Sequence, residues 1–141
     1  MGKNLIVCSF LAVILGDCSP GPSPREVTFE FIYAVLDGDS TAVLHYLDLE
    51  RMVEKRMQEV PPTDSALTPA DLRTKILQNL TGDGLTRAHW QNQRIVVNKE
   101  IIEEDSAAVE MTFIDQTTGR IEYSMVYLYR KDNRWWVYFY L

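Results

Sequence analysis

The chain has 141 residues, of which 46% are hydrophobic and 24% are charged, so it is sized for one globular domain with a modest core. Its formal net charge is −6, and its basic residues form no stripe. This charge distribution argues against binding to nucleic acid and against electrostatic binding to anionic lipid. Both cysteines, Cys8 and Cys18, lie near the amino terminus, so the rest of the chain offers no thiol for a disulfide or a metal site.

The first seventeen residues have the pattern of an export signal. Lys3 supplies a positive start, and residues 5–15 form an apolar run that is shorter than the roughly 20 residues needed to span a bilayer. Residues 15–18 (LGDC) then resemble a bacterial lipobox. The resemblance implies that Cys18 is acylated and becomes the new amino terminus. Ser19, directly after the cysteine, implies sorting to the outer membrane, with the domain facing the periplasm.

Asp17 departs from the lipobox pattern, which has a small residue just before the cysteine. Two alternatives therefore stay open: a plain signal cut near Gly16 that releases a soluble protein, and an uncleaved anchor. We interpret residues 1–17 as a signal peptide, residues 18–22 as a tether rich in proline and glycine, and residues 23–141 as the folded domain.

Helix signals dominate the first half of the domain. Ser23, Pro24 and Glu26 predict a helix start with a serine N-cap, and Gly38 predicts its end. Asp39 or Ser40 can cap a second helix. The spacing of apolar residues predicts further helices over 48–60, where Pro61 and Pro62 follow, and from Thr68 to about residue 81. The segment 85–92 is compatible with a loop, a helical turn or an early strand.

From residue 93 onward the pattern is typical of strands. Four of them are predicted, over residues 94–103, 107–115, 120–130 and 135–141. Strands that follow one another through tight turns form an antiparallel meander. Helices first and strands afterwards predict an α+β fold, with the amino-terminal helices packed on one face of a curved antiparallel sheet of four or slightly more strands.

Several short motifs resemble those of nuclear-transport-factor-2-like domains. These are the helix start at residues 23–26 (SPRE), the run at 37–39 (DGD), residues 42–48 (AVLHYLD) and the turn at 130–135 (RKDNRW). Small bacterial lipoproteins with one such domain of unknown function are the most similar subgroup. The resemblance implies a cone-shaped α+β domain with a pocket at its open end. The superfamily includes isomerases, dehydratases and non-catalytic binding or dimerising modules, so it leaves function open.

Candidate chemistry in the sequence is sparse. The two histidines are His45, placed within a helix, and His89, which with Trp90 could line a pocket mouth. No residue maps onto the catalytic residues of the enzymatic relatives, and we assign no catalytic residue. The sequence shows no metal-ligand cluster and no cofactor motif.

Aromatic residues crowd the last two predicted strands. Alternation along the last strand places Trp135, Val137 and Phe139 on one face of the sheet. The other face then carries Trp136, Tyr138 and Tyr140, which we predict to be a solvent-facing association surface. The resemblance adds that a homodimer could form through this sheet face.

Taken together, the sequence predicts a non-enzymatic lipoprotein of the cell envelope that binds a small ligand or a protein partner of unknown identity. The alternative is a small-molecule isomerase or dehydratase of the same fold that uses a pocket His or Asp.

Overall fold

The computed structural model describes residues 21–59 and 67–141, which form five helices followed by four strands. The predicted signal peptide and Cys18 lie outside the described residues. The elements are α1 Pro24–Asp37, α2 Ser40–Tyr46, α3 Leu49–Glu59, α4 Pro69–Thr81, α5 Leu85–Gln91, β1 Gln93–Glu103, β2 Ser106–Asp115, β3 Ile121–Lys131 and β4 Arg134–Tyr140.

The helix boundaries follow the caps that the sequence predicts. At the start of α1, the Ser23 hydroxyl accepts from the backbone N–H of Glu26, and the Glu26 carboxylate accepts from the backbone N–H of Ser23. Thr68 and Asp71 form the same reciprocal cap on α4. Gly38 ends α1 in the left-handed region with φ +70°, where a residue without Cβ is favoured.

The ambiguous segment after residue 84 is helix α5. Arg87 from this helix donates to the carbonyls of Val35 and Leu36 at the end of α1, and to that of Gly82 after α4. The Val35 carbonyl also accepts from the Gly38 backbone N–H, and the Leu36 carbonyl also accepts from the Gln91 side-chain amide. The guanidinium thus adds hydrogen bonds at helix ends, where carbonyls have fewer partners than inside a helix. Trp90 on the same helix is buried in the core. Tertiary contacts therefore stabilise this short helix.

The four strands form one antiparallel sheet in the order β1-β2-β3-β4, as the predicted meander requires. The helices cover one face of this sheet, here called the inner face. Residues from both layers fill the space between them, among them Phe31, Met52, Leu80, Met111, Leu128 and Val137. The α+β prediction is confirmed. The opposite face of the sheet is called the outer face below.

The edge strand β4 is covered by the chain itself. Leu47 forms a parallel bridge to Val137, and the backbone N–H of Asp48 donates to the Val137 carbonyl at 2.8 Å. Further along, the Arg56 guanidinium donates to the Tyr140 carbonyl at 2.8 Å. The junction between α2 and α3 thus satisfies backbone groups that an edge strand leaves open.

Candidate functional site

A bulge in β4 changes which aromatic side chains reach the outer face. Tyr127 pairs with Phe139 and Leu128 pairs with Val137, so Tyr138 is an extra residue on β4. Beyond the bulge the alternation is shifted by one position. Tyr140 pairs with the fully buried Val126 and therefore lies on the inner face.

The predicted set of outward-facing aromatics therefore needs correction at Tyr140. Its ring centroid lies 6.4 Å from that of Phe31 and 5.7 Å from that of Trp90, so it packs against the core. Burial raises the pKa of the Tyr140 hydroxyl. Trp136 and Tyr138 remain half-buried, at the outer side of the strand. Phe139, predicted on the opposite face from them, pairs with the outer residue Tyr127.

Trp90 is a core residue and not a pocket-mouth residue. It is 4% exposed, and its ring lies 6.2 Å from Phe31 and 5.8 Å from Phe113. These rings, with Tyr140, occupy the space between the helices and the sheet. His89 lies at the surface instead, where its Nε2 is 3.9 Å from the Glu122 carboxylate. The two residues predicted at one pocket are thus in different environments.

His45 lies on the exposed side of α2. Its ring makes an edge contact with Tyr46 at 4.9 Å, and its backbone carbonyl accepts from the Arg134 guanidinium. Among residues 21–59 and 67–141, no group of three or more His, Cys, Asp or Glu side chains could hold a metal ion. In the same part of the chain, no helix is both long and apolar enough to cross a membrane.

The outer side of β3 and β4 carries a small cluster that sequence reasoning missed. The guanidinium of Arg51, from α3, lies 3.9 Å from the ring centroid of Tyr129 and 4.7 Å from that of Tyr138. The two rings make an edge contact at 5.8 Å. A guanidinium over aromatic faces is attracted by their electron-rich π-systems, so Arg51 fixes α3 against the outer side of the strands.

Asp48 completes this cluster from the start of α3. One carboxylate oxygen accepts from the backbone N–H of Arg51 at 3.0 Å, which caps the helix, and the other accepts from the Tyr129 hydroxyl. Burial and the adjacent Asp48 charge raise the pKa of Tyr129. An aspartate directly before a helix could have been recognised from the sequence as a cap, whereas nothing in the sequence indicates its contact with Tyr129.

Three shallow concavities follow the seam between α3 and the outer aromatic side chains. They have volumes of about 290, 250 and 240 Å³. We call this line of concavities the aromatic trough. Its aromatic side consists of Tyr127, Tyr129, Trp136, Tyr138 and Phe139, and its polar side includes Asp48, Glu50, Arg51, Glu54, Lys55, Gln58, Lys131 and Asp132.

The trough combines aromatic rings, all half-buried except the buried Phe139, with charges of both signs. The guanidinium carbon of Arg134 lies 4.3 Å from the ring centroid of Trp136. That of Arg56 lies 4.4 Å from the ring centroid of Phe139. Aromatic residues and arginine are the side chains most enriched in protein-binding surfaces. The arrangement therefore suits binding of a partner whose surface is partly apolar and partly charged.

Comparison with known proteins identifies a family and a fold for this chain. A family model described as "Domain of unknown function (DUF4878)" matches residues 17–138. A solved structure from Campylobacter jejuni, described as a "Putative NTF2-like transpeptidase", is similar with a TM-score of 0.53 and 16% sequence identity. That match covers 82% of this chain and 97% of the other. No curated protein matches at a significant level. The structural match shows a nuclear-transport-factor-2-like fold.

Proposed function

The chain belongs to the DUF4878 family of domains of unknown function, and we propose that its member described here is a non-enzymatic, lipid-anchored binding module of the bacterial cell envelope. The module binds a protein partner through the aromatic trough. The anchor is the lipid on Cys18, and the domain stands in the periplasm on the outer membrane.

One observation carries the binding proposal: one group of aromatic side chains packs in the interior of the described domain, and another lies half-exposed on the outer side of β3 and β4. Phe31, Trp90, Phe113 and Tyr140 contact one another inside the domain, where an enzyme of this fold would need space for a substrate. Trp136 and Tyr138 stay accessible beside charged side chains of α3. Aromatic side chains at a surface support recognition of a macromolecule over catalysis in a cavity.

The transpeptidase description of the structural relative is not extended to this chain. At 16% identity, the similarity supports the fold alone. The alternative function, an isomerase or dehydratase that uses a pocket His or Asp, requires an ionisable side chain that points into an enclosed cavity. His45 and His89 are both exposed, so neither supports that alternative.

Metabolic labelling with a fatty acid tests the anchor. The full chain and its Cys18→Ala variant are expressed in the same bacterial host, with Cys8→Ala as the matched control. We expect label in the wild type and in Cys8→Ala, and none in Cys18→Ala. Label that persists in Cys18→Ala would contradict the anchor.

Site-specific photo-crosslinking in cells tests the trough. A photoreactive phenylalanine analogue replaces Tyr138, and in a control it replaces the exposed Thr74 on α4. We expect one discrete adduct from position 138 that disappears when Trp136→Ala is added, and none from position 74. An adduct with the mass of two copies would identify the homodimer through the sheet face as the occupant. Equal, diffuse labelling from both positions would contradict a specific surface.

A further inference from the structure

The second edge of the sheet, formed by β1, differs from the β4 edge because its carboxyl-terminal part carries exposed apolar side chains. Ile101 is 50% exposed and Ile102 is 49% exposed, and they are adjacent in the chain. Lys99 and Glu103, on either side of them, are exposed as well. An accessible edge strand with apolar side chains can pair with another strand through its free backbone groups.

A bulge determines which faces these residues occupy. Val97 pairs with Met111 and Glu100 pairs with Val109, so Asn98 and Lys99 together lie opposite Glu110. After the bulge, Glu100 lies on the inner side with Val109, and Ile101 lies on the outer side with Ala108. Alternation then places Lys99, Ile101 and Glu103 in one row on the outer face.

This row is complementary to itself in one antiparallel register. If Ile101 lies opposite the same residue of a second copy, Lys99 faces the partner's Glu103, and Glu103 faces the partner's Lys99. Opposite charges in directly facing positions stabilise a strand pair, and like charges in those positions destabilise it.

The neighbouring registers all place like charges together. Centring the pair on Lys99, Glu100 or Glu103 sets that residue against its own copy. Centring it on Ile102 sets Glu100 against the partner's Glu104 but Lys99 against the partner's Asp105, so repulsion and attraction offset each other there. The charges of this edge therefore disfavour the registers centred on Lys99, Glu100 and Glu103, and they favour the one centred on Ile101, which brings only opposite charges together.

The inner side of the same edge has room for the partner. A groove of about 350 Å³ lies between the start of α1 and β1, and its lining includes Phe29, Val97 and Glu100. The backbone N–H of Arg25 donates to the Glu100 carboxylate at 2.7 Å, which holds this carboxylate at the groove. In the register centred on Ile101, the partner's Ile102 lies opposite Glu100, at the mouth of the groove.

We propose that two copies of this chain associate by antiparallel pairing of residues 99–103 of β1, with Ile101 on the two-fold axis. The two sheets then form one continuous sheet, and both aromatic troughs remain accessible. The pairing does not depend on the lipid anchor or on the function proposed for the trough.

Charge reversal provides the first test. Full-length chains with two different carboxyl-terminal tags are co-expressed in bacteria, extracted in a mild detergent and purified through one tag. We expect wild-type chains to co-purify, and Lys99→Glu or Glu103→Lys alone to lower the recovery at least tenfold. When one tagged chain carries Lys99→Glu and the other carries Glu103→Lys, each altered charge faces an opposite one, so we expect recovery to return.

This rescue separates specific pairing from a general effect of charge. Lys99 and Glu103 are both exposed, so neither substitution changes the core. Thermal melting of the purified chains checks that each variant is folded. Two results would overturn the proposal: single variants that co-purify as well as the wild type, or a mixed pair that co-purifies no better than the single variants. Trp136→Ala serves as the matched control, because a dimer that formed through the sheet face would lose recovery with this variant and an edge dimer would not.

Disulfide trapping provides the second test. With Ile101 on the axis, the Cα atoms of Ile101→Cys and its copy would lie about 5 Å apart, within reach of a disulfide. Ser106→Cys, one strand further in, is the control, because its copies would lie three strand spacings apart across the sheet and four residues apart along it, roughly 20 Å in all. We expect oxidised dimer from Ile101→Cys above the level of the parental chain, which carries Cys8 and Cys18. Equal yields from the two variants would contradict the register.

Discussion

The Tyr129 hydroxyl donates a hydrogen bond to the Asp48 carboxylate and so connects β3 to the start of α3. The same carboxylate caps α3 through the Arg51 backbone, and the Arg51 guanidinium returns to the Tyr129 ring. The contact between Tyr129 and Asp48 therefore helps to hold α3, which forms most of the polar side of the aromatic trough, in place.

Removing the Tyr129 hydroxyl should weaken the packing of α3 against the sheet without unfolding the domain. We expect Tyr129→Phe to lower the free energy of unfolding by about 1 kcal/mol, because one hydrogen bond is lost while the ring stays under Arg51. Urea unfolding followed by circular dichroism measures the change. Tyr123→Phe, at an exposed position, is the control and should have no effect. A loss equal in both variants would contradict the role of the Asp48 contact.

Arg87 should be important for the helix layer although it is a half-buried polar residue. It supplies hydrogen bonds to the carbonyls of Val35, Leu36 and Gly82. We expect Arg87→Ala to lower the free energy of unfolding by about 1 to 3 kcal/mol, because several hydrogen bonds that join α5 to the ends of α1 and α4 are lost. Arg94 is exposed, so Arg94→Ala is the control and should change the free energy of unfolding little. Chemical denaturation of both variants measures the two changes.

Gly38 and Arg87 should be coupled. A Cβ at Gly38 would lie 2.9 Å from the Arg87 guanidinium carbon, and the backbone there has φ +70°. Gly119 has φ +71° with no atom within 4 Å of its Cβ position, so Gly119→Ala measures the backbone cost alone, about 1 kcal/mol. We expect Gly38→Ala to cost more, and the excess to disappear in an Arg87→Ala background. A penalty that is unchanged in the double variant would contradict the contact.

The cap of α4 should contribute to stability in a pH-dependent way. Hydrogen bonds from Thr68 lower the pKa of Asp71 below its ordinary value of 3.8. A lowered pKa in the folded state means that the contribution is complete above pH 3.8 and is lost as the pH falls through the folded-state pKa. We expect the unfolding midpoint of the wild type to exceed that of Asp71→Asn at pH 7, and the difference to shrink as the pH falls below 3.8. A difference that stays constant as the pH falls would show a cause other than ionisation.

Because of the bulge at Tyr138, we expect different effects from truncating Tyr140 and Trp136. Tyr140 packs against Phe31 and Trp90, so Tyr140→Ala should lower the free energy of unfolding by about 3 kcal/mol or more, as for other large core truncations. Trp136 lies on the outer side, so Trp136→Ala should have a smaller effect. Thermal melting of the two variants checks the order, and the reverse order would contradict the bulged register.

The sequence predicted the helix starts well because capping depends on residues that are close in the chain. Ser23 with Glu26, and Thr68 with Asp71, form the expected reciprocal hydrogen bonds. The short helix at residues 85–91 could not be assigned, because its stability depends on contacts between Arg87 and residues about fifty positions earlier. Local patterns carry no information about such distant partners.

The outer surface was predicted only in part for a similar reason. Trp136 and Tyr138 reach the outer side as strict alternation requires, but one extra residue in β4 turns Tyr140 inward. A bulge shows only when a strand is seen against its neighbour, and the tyrosine-rich sequence of β4 has no glycine to mark one. The placement of Arg51 over Tyr129 likewise depends on how α3 packs, which follows from the fold as a whole.

The covered β4 edge has a consequence for the size to which any assembly can grow. Leu47, Asp48 and Arg56 contact the backbone of β4 at Val137 and Tyr140, so among the described residues the β1 side is the more open edge for a second chain. Pairing there, in the proposed register, is symmetrical and uses the β1 edge of both copies. Strand pairing through β1 therefore ends at two molecules, and an open-ended fibril built by repeated edge addition is disfavoured by the fold itself.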